Sequence, residues 1–166
     1  MKAYEYINKT REYLDYLEDH IRNVEKAWGI LQDKCKNFKF IYEDGSFFYL
    51  DAKIKEHDLS KFSEFEFIQY RKAFYPTSHE SKYDMSEAWE HHKKNNDHHW
   101  ENWKNSEDAD QYLCLVHNIV DWMAMGLHLG NTAQEYYENN KDKIKLPKWA
   151  RNRMYEIFDC LKEVEK

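Results

Sequence analysis

An all-α fold, interrupted by a small β-hairpin over residues 38–50, is predicted for this chain by three observations. Only four glycines and two prolines punctuate its 166 residues. Aromatic residues make up 17% of it, enough to build a packed core despite 34% charged residues and a mean hydropathy of −1.03. Apolar side chains also recur at three- and four-residue intervals through most of its length, the period of an amphipathic helix. The length suits a single domain, 1–166, which at this size buries roughly 70% of its unfolded surface.

The first helix is expected over about Tyr4 to Leu31, where Leu14, Leu17, Ile21, Val24, Trp28 and Leu31 form one stripe with His20 on or beside it. The hairpin follows. Two alternating aromatic runs flank Asp44-Gly45, a pair that favours a tight turn. Helix is expected to resume from Ile54 to Leu59 and to carry His57 and Asp58. Ser63, with Glu66 three residues later, reads as a capping box opening a helix that runs through Phe74 and ends at Pro76. From Asp84 to Trp103 the stripe Met85, Trp89, His92, Asn96, His99 and Trp103 turns His92 and His99 inward, and leaves His91 and His98 on a polar face. His92 and His99 would be roughly 10 Å apart along an unbroken axis, so a break at Asn95-Asn96-Asp97 is needed if they are to share an ion. Asp108 to Leu127 is apolar almost all round, with Asp121 as its anomaly and His117 one turn earlier as its companion. Helices from Thr132 to Ile144 and from Pro147 to Val164 complete the chain.

A net charge of −6 disfavours extended binding to nucleic acid or to an anionic membrane. No stretch approaches the roughly 20 apolar residues needed to cross a bilayer, and the amino terminus lacks a basic segment followed by an apolar one. Cys35, Cys114 and Cys160 are too widely spaced for a structural zinc or dithiol motif. Reduced thiols and a cytoplasmic location are the expectation.

The chemistry gathers around His57-Asp58-Leu59-Ser60-Lys61. An adjacent imidazole and carboxylate offer nitrogen and oxygen ligands to a divalent cation. His20, His92, His99 and Asp121 lie on faces that also carry apolar residues, where a polar group needs a partner. The candidate metal ligands are therefore His20, His57, Asp58, His92, His99 and Asp121. His98 is the alternative to His99, and His117 is a supporting neighbour. Lys61, four residues after His57, can offer its ammonium to a substrate phosphate.

This ordered set resembles the HD superfamily of metal-dependent phosphohydrolases. There an early-helix histidine, a His-Asp doublet and a later aspartate hold one metal, and histidines between doublet and aspartate support a second. The positions correspond in order to His20, to His57 and Asp58, to His92 with His98 or His99, and to Asp121. The chain also resembles an uncharacterised group of small bacterial and phage proteins with the motifs His-Asp-Leu-Ser-Lys (57–61), Asn-x-His-His-Trp (96–100) and Asp-Trp-x-Ala-Met (121–125).

The HD resemblance implies an HD-like helical bundle holding one or two divalent ions of iron, manganese, cobalt or zinc, and hydrolysis of a phosphate ester of a nucleotide or small metabolite. Asp58 would bridge metals or orient the water, and Lys61 would touch substrate. Two alternatives have distinct signatures. An HD-type di-iron oxygenase would contain iron and consume oxygen. A non-enzymatic metal- or nucleotide-binding regulatory module would show a closed ligand set.

Overall fold

A computed structural model describes residues 2–36, 46–81, 84–103 and 109–162. In chain order they form α1 (Lys2–Lys34), α2 (Ser46–Lys55), a 3₁₀ turn (Leu59–Phe62), α3 (Phe67–Phe74), α4 (Ser86–Asn95), α5 (Trp100–Trp103), α6 (Ala109–Leu129), α7 (Ala133–Asn140) and α8 (Lys148–Lys162). No described helix is long and apolar enough to cross a membrane.

The expected hairpin is not present. Asp44-Gly45 and the first run lie outside the described residues, but Ser46–Leu50 are the first half of α2, and no strand occurs among the described residues. Local aromatic alternation is overridden by packing with helical period. Leu50 and Ile54, four apart, are both buried, Phe47 stacks on Trp28 at 5.8 Å, and the Trp28 indole donates to Asp51 at 3.0 Å.

The chain partitions into two compact units. One comprises Met1–Ile21 with Asp58–Asn96, and the other Arg22–His57 with Asp97–Lys166. In the first, Tyr13 and Leu17 of α1 pack with Tyr70 of α3 and Ala88 of α4. The buried stripe of α1 thus begins at Tyr13, while Leu14 is exposed, because the larger aromatic ring fills the space beside α3. Arg71 is the other fixed point of this unit. Its buried guanidinium grips Glu80 at 2.5 and 2.6 Å, and Glu80 also accepts from the Thr77 amide at 2.8 Å. Those hydrogen bonds, chiefly from Arg71, hold the Glu80 carboxyl down to about 2.

The second unit is built on α6. Leu115, Val116, Ile119 and Val120 are fully buried, so this helix is covered on several sides, by α2, α5, α7 and α8. Val24, Ala27 and Leu31 of α1 and Met154, Ile157 and Phe158 of α8 share that core, each large side chain contributing about 1.5–3 kcal/mol on burial. α6 ends as the glycines dictate. Gly130 has φ 78°, and its amide and that of Asn131 both bond to the Gly126 carbonyl, at 2.8 and 3.2 Å. A side chain at 126 would meet the Asn131 carbonyl oxygen at 2.2 Å, so the reversal needs glycine there. Thr132 and Glu135 then close a reciprocal capping box on α7, which stops at Asn140, short of the expected Ile144.

Candidate metal centre

The His-Asp doublet sits in a turn, not on the helix expected from Ile54 to Leu59. α2 stops at Lys55, the His57 amide bonds back to the Ile54 carbonyl at 3.1 Å, and Asp58 adopts φ 58°, ψ 17° before the 3₁₀ turn. Among the described residues Asp58 alone combines a side chain with positive φ. Aspartate tolerates this region better than most residues, yet holding it there costs about 1–3 kcal/mol, the kind of strain that collects at functional positions. The boundary between the two units falls at the His57–Asp58 peptide bond. His57 thus belongs to the second unit and Asp58 to the first.

In the first unit the buried Asp58 carboxylate is flanked by two buried imidazoles. His20 Nε2 lies 3.4 Å from Oδ2, and His92 Nε2 lies 3.2 Å from Oδ1. Separations of about 3–3.5 Å are the edges of a coordination polyhedron with bonds of about 2.1 Å. The Lys61 ammonium pairs with Asp58 Oδ2 at 2.5 Å and lies over the Tyr70 ring at 5.7 Å. His20, on the α1 stripe, and His92, buried with Ala88 on one face of α4, both point inward as expected.

The ring of His92 is oriented by a network that the sequence did not disclose. Its Nδ1 faces Glu66 Oε2 at 2.9 Å, with Ser60 Oγ and Asn96 Nδ2 each at 3.1 Å. Glu66 is fully buried. It also accepts from Ser60 Oγ at 3.0 Å, and its other oxygen lies 2.6 Å from His91 Nδ1. Assigning the Nδ1 proton to the Glu66 bond leaves Nε2 directed at Asp58, the carboxylate–histidine arrangement that commonly backs a metal ligand. Burial would raise the Glu66 carboxyl, but the bonds from His92, His91 and Ser60 outweigh it and lower it. Burial likewise opposes charge on His92, and its bonds to Asp58 and Glu66 win, raising it. A cation between these donors would take the place of that proton.

The capping-box reading of Glu66 is therefore half right. Its amide does bond to Ser63 Oγ at 3.2 Å, but its carboxylate turns to Ser60 and the two histidines, and α3 starts at Phe67. The available signal was a carboxylate set between Phe65 and Phe67. Substituting glutamine for Glu66 keeps the shape and removes the charge. It is expected to weaken metal affinity about 10- to 100-fold with helix content unchanged, as read by metal titration and circular dichroism. Wild-type affinity would deny Glu66 its orienting role.

In the second unit His57, His98 and His117 are all buried, and ligand atoms from the three lie within 4.8 Å of one another. His57 Nδ1 and His117 Nε2 are 2.9 Å apart, and the His98 ring lies 4.4 Å from that of His57 and 4.6 Å from that of His117. Asp121 Oδ1 is 3.5 Å from His57 Nε2, and Asp97 Oδ1 is 3.8 Å from His117 Nδ1. Imidazole-rich donor sets of this kind suit zinc, iron and their neighbours better than magnesium or calcium.

The polar-face reading of His98 does not survive, because the helix breaks where Asn95-Asn96-Asp97 allowed it to. α4 ends at Asn95 and Asn96 is extended, its side chain bonding back to the His92 carbonyl at 2.7 Å. Past the break His98 is buried and His99, half-buried, lies beside it with ring centroids 4.3 Å apart. His98 thus joins His57 and His117. His117, expected only as a supporting neighbour, is a full member of the set.

No curated protein and no solved structure matches the chain. One family profile does, over residues 9–162, a span that contains every candidate donor from His20 to Asp121, and the chain accordingly belongs to the family of unknown function DUF5662.

Proposed function

We propose that this protein is a metal-dependent hydrolase of a phosphate ester, of the kind its resemblance to HD phosphohydrolases implies, with a nucleotide or small phosphorylated metabolite as substrate. The observation that carries the reading is Asp58, held in a left-handed turn between the Nε2 atoms of His20 and His92 with Lys61 at its side. Histidines and one carboxylate in this arrangement would hold a divalent transition metal, and His57, His98 and His117 with Asp121 form a further donor group in the other unit. A bound cation of this class polarises a phosphoryl oxygen and lowers the pKa of coordinated water towards neutrality. Asp58 would orient such a water. Lys61, with three donors, keeps its bond to Asp58 and turns another towards a phosphate oxygen. Glu66 and Ser60 hold His92 in the tautomer that leaves Nε2 available.

The test is elemental analysis of protein purified without chelators, followed by a panel of phosphate esters assayed with manganese, cobalt, zinc and iron. One or two ions per chain, with phosphate release that chelation abolishes, supports the reading. Iron with oxygen uptake and no phosphate release replaces it with the di-iron oxygenase, which the imidazole-rich donors would equally serve. No metal after reconstitution removes both.

A further inference from the structure

Two buried phenols of the first unit take no part in the hydrolytic scheme. Tyr13 on α1 and Tyr70 on α3 are 1% and 3% exposed, and the hydroxyl of each makes no hydrogen bond among the described residues. A buried hydroxyl in that state is costly, and apolar phenylalanine would fill either ring position. Tyr70 stands beside the Asp58 donors, and Tyr13 shares one buried cluster with it. The Tyr70 ring meets His92 edge-on at 5.7 Å and carries the Lys61 ammonium 5.7 Å from its centroid, while Tyr13 packs on Phe67 at 5.3 Å and Tyr75 at 6.1 Å. A phenol O–H is a hydrogen-bond donor that carries no charge.

We infer that the hydroxyls of Tyr13 and Tyr70, with the ammonium of Lys61, form a binding site for a tetrahedral oxyanion, the phosphoryl group of a monoester or free inorganic phosphate. Lys61 brings the positive charge. The phenols bring two directional donors that add no charge beside Asp58 and Glu66, and each finds in the anion a hydrogen-bond partner. That the anion is a substrate's phosphoryl group rests on the hydrolase reading, whereas binding of the anion does not.

The experiment is calorimetric titration of the full chain, as purified, with inorganic phosphate and with p-nitrophenyl phosphate. It is repeated on Tyr13→Phe and Tyr70→Phe, with metal content and melting temperature recorded for each. Each variant is expected to bind phosphate about tenfold or more weakly, to hold wild-type metal, and to melt at or above the wild-type temperature, because the lost oxygen had no partner within the fold. Tighter binding of the ester would identify substrate as the occupant, and tighter binding of inorganic phosphate would identify the free anion. Unchanged phosphate affinity in both variants overturns the inference. So does a lower melting temperature in both, which would make the hydroxyls structural. The two readings fail separately: a metal-free chain that still binds phosphate through its tyrosines refutes the hydrolase alone, and a metal-loaded chain indifferent to both substitutions refutes the oxyanion site alone.

Discussion

Replacing Asp58 with asparagine or glycine is expected to abolish retention of metal by the first-unit donors while leaving helix content intact. Asparagine keeps the shape and tolerates the left-handed backbone but lacks the charge that a divalent ion demands. Glycine removes the side chain and adopts φ 58° without strain. Asp58→Ala should lose the metal as well, and additionally destabilise the chain by about 1 kcal/mol, since alanine gains nothing in that conformation. His57→Ala is expected to reduce metal retention in parallel, through the donor group it forms with His98 and His117. Metal per chain by elemental analysis, read beside a melting curve, separates the cases. Wild-type stoichiometry in both Asp58→Asn and Asp58→Gly would leave the carboxylate a turn-former and nothing more.

The second large effect belongs to stability. Glu80→Gln leaves the Arg71 guanidinium, 3% exposed, without its carboxylate. Breaking a buried pair from one side costs about 3–5 kcal/mol, which lowers the melting temperature by roughly 10 °C for a chain of this size. Replacing both partners, as in Arg71→Met with Glu80→Met, should be far milder, because no charge is then stranded. The same pair sets an acid response. Glu80 has its folded value lowered from 4.5 to about 2, so its contribution is fully present above about pH 4.5 and is lost as the pH falls from there towards 2. The melting temperature of the wild type should therefore drop through that window, and the Glu80→Gln variant should drop less. Parallel acid profiles for the two proteins would remove Glu80 as a source of the response.

Several of the candidate donors were legible in the sequence because they are polar residues on stripes that must face inward. His20 stands three residues after Leu17, and His92 three after Trp89 and four before Asn96, so helical period alone directs them to the core, where both are buried. Asp121, on the nearly all-apolar α6, is legible for the same reason. His98 was legible only as the alternative to His99, since its direction depends on where α4 ends, and a break in the helix reverses faces that a continuous helix would preserve. Glu66 was hidden by a local pattern that is real, the Ser63 cap, and its second use arises only when α4 brings His91 and His92 to it. The hairpin failed in the opposite sense. Aromatic alternation around Asp44-Gly45 favours strand locally, but Phe47, Leu50 and Ile54 gain more by lying along α1 as a helix than a two-stranded excursion could offer. Tyr13 in place of Leu14 on the α1 stripe is a smaller instance, a one-residue phase error that only the neighbouring aromatic rings resolve.

The interleaving of the two units along the chain governs the order in which a growing polypeptide can fold. The first unit needs residues up to Ile21 and the stretch Asp58–Asn96, so all its parts exist once Asn96 has been synthesised. The second cannot close until α6, α7 and α8 follow, because they complete the core that Arg22–His57 share with them. Leu50, Ile54 and Trp28 therefore lack the α6–α8 side of their core through the synthesis of the first unit, a window in which a nascent chain is open to chaperones and to aggregation. Neither unit can be expressed as a contiguous fragment, and a truncation after Asn96 would retain every part of the first unit together with the Arg22–His57 stretch of the second, deprived of α6 to α8.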